Sequence, residues 1–185
     1  VIASKYKESR VYVTLNGYRN DHFAAWVFVS EDYGTTWKQI FTDLPAEPVN
    51  VIREDPKQEN LLYVGTDNGL YVSLNQGQTF ERFGKSLPAV AVHDLVIHPR
   101  EKDIIVATHG RSLYKASLKE LQLVTDSVLN KPLSLFELES VNYSTSWGRR
   151  MFSGEFFEPT FKIPYFTNKK GTAVITISSV NGNVL

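Results

Sequence analysis

The chain has 185 residues, and its 42% apolar, 22% charged and 12% aromatic composition is typical of a globular protein of one domain or one and a part. Twenty Lys and Arg balance twenty Asp and Glu, so the formal net charge of zero argues against nucleic-acid binding through bulk charge. The absence of cysteine excludes disulfides, thiol catalysis and thiolate metal sites. No apolar stretch has the length of a membrane span. Because the chain begins with Val1 and stops within an alternating apolar stretch, we expect a piece of a longer protein.

One unit of sequence recurs along the chain, and a recurrence at this spacing indicates a repeat architecture. The segment Ser30–Trp37 returns 43 residues later as Ser73–Phe80. The same shift carries Leu44–Ala46 onto Leu87–Ala89, Asp55-Pro56 onto His98-Pro99, and Leu70-Tyr71 onto Leu113-Tyr114. Further back, Val11–Val13 matches Leu62–Val64 at a shift of 51, and the extra 8 residues fall in a loop insertion at Asn16–Phe23.

Each unit predicts four short strands, so we expect an all-β fold. The strands are rich in Val, Ile, Leu, Tyr and Phe and are separated by turn residues, and four strands per 40–50 residues are typical of a β-propeller blade. The predicted blades span about 1–43, 44–87 and 88–126, the first beginning at its innermost strand, Val1–Ser4. Strands are predicted in the second blade at Asn50–Arg53, Leu61–Thr66, Gly69–Leu74 and Thr79–Phe83, and in the third at Val96–His98, Ile104–Thr108, Ser112–Ser117 and, more weakly, Leu121–Val124.

Three blades are too few to close a propeller, which usually has 4–8. The missing blades are expected upstream in a parent protein or in a partner copy. A fragment of three blades should therefore expose sheet faces and edges.

The repeated turn resembles the Asp-box, or BNR repeat, of sialidases and sortilin-like propellers. Its positions are filled in the first copy by Ser30, Asp32, Gly34, Thr36 and Trp37, and in the second by Ser73, Asn75, Gly77, Thr79 and Phe80. The carboxylate or amide can accept hydrogen bonds from turn amides, the glycine permits a positive φ, and the aromatic residue can pack in the core. The resemblance implies a folding element rather than a catalytic one. We expect Asp32 and Asn75 in equivalent turns, with Trp37 buried and Glu31 at the surface.

Two later segments, His93–Pro99 and Ala107–Tyr114, resemble the last blade of large secreted bacterial proteins that are sortilin-like and glycosyl-hydrolase-like. That resemblance implies a linker or extension over 127–170, with Lys131–Leu133 and Leu135–Glu137 matching it. It also implies the first strands of a truncated β-sandwich over 171–185, in Gly171–Ile177 and Asn181–Val184.

The most distinctive local group of candidate site residues is His109, Gly110 and Arg111. An Arg at this turn could bind a carboxylate, since its planar fork suits such anions. The simpler interpretation is a tight turn in which Gly110 supplies backbone freedom and Arg111 pairs with a neighbouring blade. The corresponding Asp67-Asn68-Gly69 reads as a hairpin and favours this second interpretation.

A second candidate is the aromatic insertion, because inserted propeller loops often bind ligands. Tyr18 and His22 are the candidates for stacking on a sugar or an apolar peptide, whereas Trp26 alternates with Phe28 and should be packed. Trp147–Phe152 places two basic residues near aromatics and is expected to be a solvated or docking segment.

No metal site or cofactor is predicted. His93 and His98, five residues apart on a strand, should point to opposite faces. Carboxylates are available at Glu54, Asp55, Asp67, Glu81, Asp94 and Asp103, but no motif singles out a glycosidase pair, so the catalytic residues are unknown. Asp55 and Asp103 read as ordinary turn residues.

These features favour a binding or scaffold module for carbohydrate or peptide, with the remaining blades as a partner and with neither nucleic acid nor a membrane span involved. Two alternatives stay open. One is part of a sialidase-like or xyloglucanase-like glycoside hydrolase whose catalytic residues lie mostly elsewhere. The other is a sortilin-like peptide-binding propeller. The resemblance implies a secreted, periplasmic or cell-surface location.

Overall fold

The structure is a computed structural model that describes residues 1–40, 43–142, 144–150, 154, 156 and 160–184. The chain divides into two compact units, Val1–Thr125 and Asp126–Leu185. No helix in the described ranges is long and apolar enough to cross a membrane.

The first unit consists of three antiparallel sheets that follow one another along the chain, as the repeats predicted. We call them blades 1, 2 and 3. Blade 1 contains β1 (Ile2–Ala3), β2 (Val11–Gly17), β3 (His22–Ser30) and β4 (Lys38–Gln39), and blade 2 contains β5 (Val49–Glu54), β6 (Leu62–Thr66), β7 (Leu70–Ser73) and β8 (Glu81–Phe83). Blade 3 contains β9 (Val92–His98), β10 (Asp103–Thr108) and β11 (Leu113–Ser117). In every blade each strand pairs with the next one in the sequence.

Two apolar layers hold the blades together. Alternate residues of each strand face opposite sides of its sheet, so one strand contributes to both layers. Tyr12, Val27 and Val64 lie in the layer between blades 1 and 2. Tyr63 and Val106 lie in the layer between blades 2 and 3. The side chain of Tyr63 is fully buried.

The two repeated turns have the same hydrogen bonds, which confirms their predicted equivalence. Asp32 accepts hydrogen bonds at Oδ1 from the Ser30 hydroxyl and the Thr36 amide, both at 2.8 Å. Asn75 accepts the corresponding bonds from Ser73 and Thr79, both at 2.9 Å. The glycines between them have φ of 87° and 84°, the left-handed region that favours glycine.

The aromatic residues that end the two turns differ in burial, so the expectation that Trp37 is buried was wrong. Phe80 is 5% exposed and packs between blades 1 and 2, whereas Trp37 is 44% exposed. The indole Nε1 of Trp37 donates to the Gly34 carbonyl at 3.0 Å. Phe80 therefore belongs to the buried layer between blades 1 and 2, whereas the Trp37 ring lies against its own turn.

Blade 3 has three strands, and the weakly predicted strand at Leu121–Val124 is wrong. Leu121–Leu123 forms a short 3-10 helix instead. The Gln122 side chain there donates to both carboxylate oxygens of Asp55, at 3.1 and 2.9 Å. These bonds, with the fully buried Leu118 just before them, direct the chain back towards blade 2 instead of along β11.

The second unit contains little regular structure in its described residues. A short helix, α1 (Asp126–Leu129), precedes β12 (Leu133–Leu135), which pairs with β13 (Tyr165–Thr167). The sequence predicted strands at Gly171–Ile177, but the structure contains no strand there and only a single bridge between Ser178 and Val184. The predicted docking segment Trp147–Phe152 is described only as far as Arg150, since Met151 and Phe152 lie outside the described residues.

Candidate ligand-binding rim

Polar residues of all three blades lie at one end of the sheets. In antiparallel sheets of this order, the β2–β3, β6–β7 and β10–β11 turns lie at the same end as the beginnings of β5 and β9. We call five residues at this end the polar rim: Asn16, Asn50, Asp67, His93 and His109. They recur at repeat-equivalent positions, Asn16 with Asp67 and His109 in the turns, and Asn50 with His93 on the inner strands.

A chain of hydrogen bonds connects the rim from blade 1 to blade 2. The side-chain amide of Asn16 donates to Asn50 Oδ1 at 2.5 Å, and the side-chain amide of Asn50 donates to Asp67 Oδ1 at 2.9 Å. The backbone amide of Tyr18 donates to Asn16 Oδ1 at 3.2 Å. The turn that follows Asn16 therefore holds the Asn16 side chain in position.

Blade 3 repeats this arrangement with imidazole rings. His93 and His109 have ring centroids 5.3 Å apart, where blade 2 has the Asn50–Asp67 hydrogen bond. The backbone anchors also match. The amide of His109 donates to the Ala91 carbonyl at 2.9 Å, as that of Asp67 donates to Pro48 at 3.2 Å.

A glycine allows the inner strands to approach closely beside the rim. A Cβ on Gly65 of β6 would lie 2.6 Å from a methyl carbon of Val51 and of Val92, and 2.9 Å from the Val92 carbonyl oxygen. Only a residue without a side chain fits there, so the end of β6 is held against the beginnings of β5 and β9.

The structure places the predicted residues Tyr18 and His22 in the β2–β3 turn, next to the rim. Tyr18 belongs to a 3-10 helix, Tyr18–Asn20, and is 50% exposed. The Arg19 guanidinium carbon lies 5.8 Å from the centroid of the Tyr18 ring. His22 is exposed, and its ring centroid is 5.6 Å from that of Trp26, which was expected to be packed and is half-buried.

The other predicted pair, His109 and Arg111, lies in the β10–β11 turn. Gly110 has a φ of 77°, and both the amide and the hydroxyl of Thr108 donate to the Ser112 carbonyl, at 3.3 and 2.6 Å. The segment is therefore a tight hairpin turn. Arg111 is exposed and, in the part of the chain that the structure describes, forms no ion pair with a neighbouring blade.

The rim offers hydrogen-bond donors and acceptors rather than a metal-binding set. Amides both donate and accept, a carboxylate accepts, and an imidazole can do either, so such a surface can bind hydroxyl or peptide groups. Within the described ranges, no group of three His, Asp or Glu side chains could hold a metal ion. His98, assigned to the opposite face from His93, accepts the Glu101 amide at its Nδ1 at 3.2 Å.

Two of the three buried carboxylates among the described residues, Asp55 and Glu54, lie at the opposite end of the blades and have structural partners. Asp55 is fully buried, accepts the Tyr63 hydroxyl at 2.9 Å and binds Gln122, so it is more than the ordinary turn residue predicted from the sequence. Glu54 is 6% exposed and accepts the Ser4 hydroxyl at 2.8 Å and the Lys5 amide at 2.7 Å. These two carboxylates link the three blades.

The same carboxylates change the acidity of nearby phenols. Burial, followed by the negative charges of Asp55 and Glu54, raises the pKa of Tyr6 to about 12. Burial and the charge of Asp55 also raise the pKa of the Tyr63 phenol. Both phenols therefore remain protonated at neutral pH and act as hydrogen-bond donors to this network.

Sequence reasoning missed Asn16 and Asn50 as members of the rim. Each is a single amide with no motif around it. The signal that could have found them is the repeat itself, because Asn16 is equivalent to Asp67 and Asn50 is equivalent to His93.

Three stacked antiparallel sheets with equivalent turns are consecutive blades of a β-propeller. The family profile described as sortilin, neurotensin receptor 3, matches residues 25–157, and the chain belongs to this Sortilin-Vps10 family. It is 30% identical over 128 residues to the sortilins of Rattus norvegicus and Mus musculus, which covers 69% of this chain. The chain spans only 14% of the length of these relatives.

The fold is also similar to that of a solved enzyme. The GH74 enzyme of Niastella koreensis matches 63% of this chain with a TM-score of 0.53 and 17% sequence identity, and 19% of that enzyme is covered. At this level of identity the likeness shows the propeller fold alone.

Proposed function

We propose that this chain is a binding module of a sortilin-like propeller and that the polar rim contacts a carbohydrate or peptide ligand. The observation that supports the proposal is the hydrogen-bonded chain from Asn16 through Asn50 to Asp67, which spans two blades. A polar set that is already positioned by its own hydrogen bonds loses less conformational entropy on binding than a mobile one.

The family supports a receptor role in particular, since its description includes the words neurotensin receptor. We therefore propose a peptide as the ligand in preference to a carbohydrate. The exposed Tyr18 and Arg111 beside the rim would add an aromatic surface and a positive charge. We propose a secreted, periplasmic or cell-surface location, and we propose that the two repeated turns are Asp-boxes that stabilise the blades without contacting ligand.

The experiment is a binding screen of the full chain against a peptide library and a glycan array. Hits are then measured with Asp67→Asn, His109→Ala and Arg111→Ala. We expect each variant to weaken binding roughly fivefold to thirtyfold, because each removes a hydrogen bond or a charge worth about 1–2 kcal/mol at an interface.

Lys57→Ala is the matched control, because Lys57 is exposed and lies between β5 and β6, at the end of the blades opposite the rim. Binding that is unchanged in all three rim variants, or lost equally in the control, would place the ligand elsewhere. Binding to neither collection would contradict the proposal.

A further inference from the structure

Glu47 is a buried carboxylate that lies beside the polar rim without belonging to it. It is in the segment between β4 and β5 and is 6% exposed. Within the described ranges it forms no ion pair, so hydrogen bonds alone compensate for the loss of its hydration. Because such burial opposes folding, the groups that this carboxylate binds indicate its role.

The side chains that donate to Glu47 in the described part of the chain all belong to the β6–β7 hairpin. Its Oε1 accepts the Thr66 hydroxyl at 2.9 Å and the Tyr71 hydroxyl at 3.3 Å, and its Oε2 accepts the side-chain amide of Asn68. Burial, followed by the negative charge of Glu47, raises the pKa of the Tyr71 phenol, which therefore stays protonated and donates at neutral pH. The carboxylate thus binds both strands and the turn of the hairpin that carries Asp67.

Two prolines hold the backbone on either side of Glu47. Pro45 and Pro48 have a restricted φ, and a residue that precedes a proline is confined to extended conformations. The Glu47 amide donates to the Pro45 carbonyl at 2.8 Å. The Pro48 carbonyl accepts the Asp67 amide at 3.2 Å. This segment therefore binds the hairpin turn through both a side chain and the backbone.

The repeat shows that the fold itself does not require a carboxylate at this position. The shift of 43 residues that relates Leu44–Ala46 to Leu87–Ala89 places Val90 at the position of Glu47. Val90 is 8% exposed and packs in the apolar layer between blades 2 and 3. An apolar residue therefore fills the position in the blade whose turn carries His109, and a carboxylate fills it in the blade whose turn carries Asp67.

We propose that Glu47 is a positioning residue of the polar rim, which holds the β6–β7 turn so that Asp67 meets Asn50. The Asp67 carboxylate accepts the side-chain amide of Asn50 at 2.9 Å, so a displaced turn would break the last link of the hydrogen-bonded rim. The inference rests on the proposed function, in which the rim is the surface that contacts ligand.

Glu47→Val tests the role by introducing the residue that blade 3 has at this position. We expect the melting temperature to change little, because the buried Thr66 hydroxyl can still donate to the Gly69 carbonyl at 3.2 Å and the other two donors are exposed or half-buried. Amide hydrogen exchange at Asp67 and Asn68, measured by NMR, should become roughly tenfold faster as the turn loosens. The affinity for the tightest-binding library peptide should fall by a similar factor.

An exchange of polar groups distinguishes positioning from a general loss of stability. Asn68 is exposed, so Asn68→Asp should leave the fold intact while it sets two carboxylates against each other and speeds exchange at Asp67. Combining it with Glu47→Gln restores an amide opposite a carboxylate, so this double variant should recover native exchange and binding. Glu54→Gln is the matched control, because Glu54 is also 6% exposed and lies at the opposite end of the blades.

Three results would each overturn the proposal: exchange at the turn that is unchanged in Glu47→Val and Asn68→Asp, exchange that rises equally in the control, or a double variant no better than Asn68→Asp. A large fall in the melting temperature of Glu47→Val with native exchange at the turn would make Glu47 a stabilising residue instead. If the native chain binds neither peptides nor glycans, the proposed function fails, and the exchange rates alone decide whether Glu47 positions the hairpin.

Discussion

The two aromatic residues of the repeated turns occupy equivalent sequence positions but differ in burial, so we expect them to contribute differently to the free energy of unfolding. We expect Phe80→Ala to lower the free energy of unfolding by about 3–5 kcal/mol, because it leaves a cavity between blades 1 and 2. Trp37→Ala should lower it by only about 1–2 kcal/mol, since the ring is 44% exposed. Urea unfolding measures both, and equal losses would contradict the structure.

The hydrogen bonds of Asp32 give its turn a dependence on pH. Bonds from the Thr36 hydroxyl and amide, and then from Ser30, hold the pKa of Asp32 at about 2. Because this pKa lies below the value of about 3.9 in an unfolded chain, the ionised carboxylate stabilises the fold above pH 4. That contribution is lost as the pH falls through 2.

We therefore expect the stability difference between the native chain and Asp32→Asn to shrink between about pH 4 and pH 2. Asparagine is the suitable replacement, since Asn75 occupies the same position in the second turn. The measurement is urea unfolding at a series of pH values. A difference that is constant over this range would mean that the carboxylate charge contributes nothing.

At the scale of strands, two glycines of the β6–β7 hairpin allow the cost of steric overlap to be distinguished from the general effect of replacing glycine by alanine. Gly65→Ala should destabilise the chain by about 1–3 kcal/mol, because its Cβ would overlap Val51 and the Val92 backbone. Gly69→Ala is the control, since its Cβ would meet Arg82 at an ordinary 3.5 Å. Thermal unfolding compares them, and equal shifts in melting temperature would show that the packing of β6 against β9 is loose.

Most strands were predictable because the repeat fixes their order and their turns. The missing fourth strand of blade 3 was not, because it depends on a distant contact between Gln122 and Asp55. The exposure of Trp37 was not predictable either, because the turn motif fixes the hydrogen bonds of the turn but not how much of the aromatic ring the rest of the fold covers. Of the rim, the turns holding His109 and Tyr18 were found by motif and insertion, whereas Asn16 and Asn50 become visible only when the blades are aligned.

For the whole molecule, the distribution of carboxylates bears on the alternative of glycoside hydrolysis. Such hydrolysis usually needs two carboxyl groups roughly 5–10 Å apart across the sugar. Glu54 and Asp55 are buried and hydrogen-bonded between blades, and Glu47 is 6% exposed and accepts the Thr66 hydroxyl at 2.9 Å. Within the hydrogen-bonded rim, Asp67 is the carboxylate, paired with an amide.

We therefore expect the purified chain to hydrolyse neither aryl-glycosides nor sialosides. The reason is that the buried carboxylates are held by structural partners, including Glu47, which accepts bonds from the Thr66 and Asn68 side chains beside Asp67. The assay should include an active glycosidase, such as the GH74 enzyme of similar fold, as the positive control, and Asp67→Asn as the matched variant. Turnover by the native chain that disappears in Asp67→Asn would make the rim a catalytic site and would replace the binding module with an enzyme.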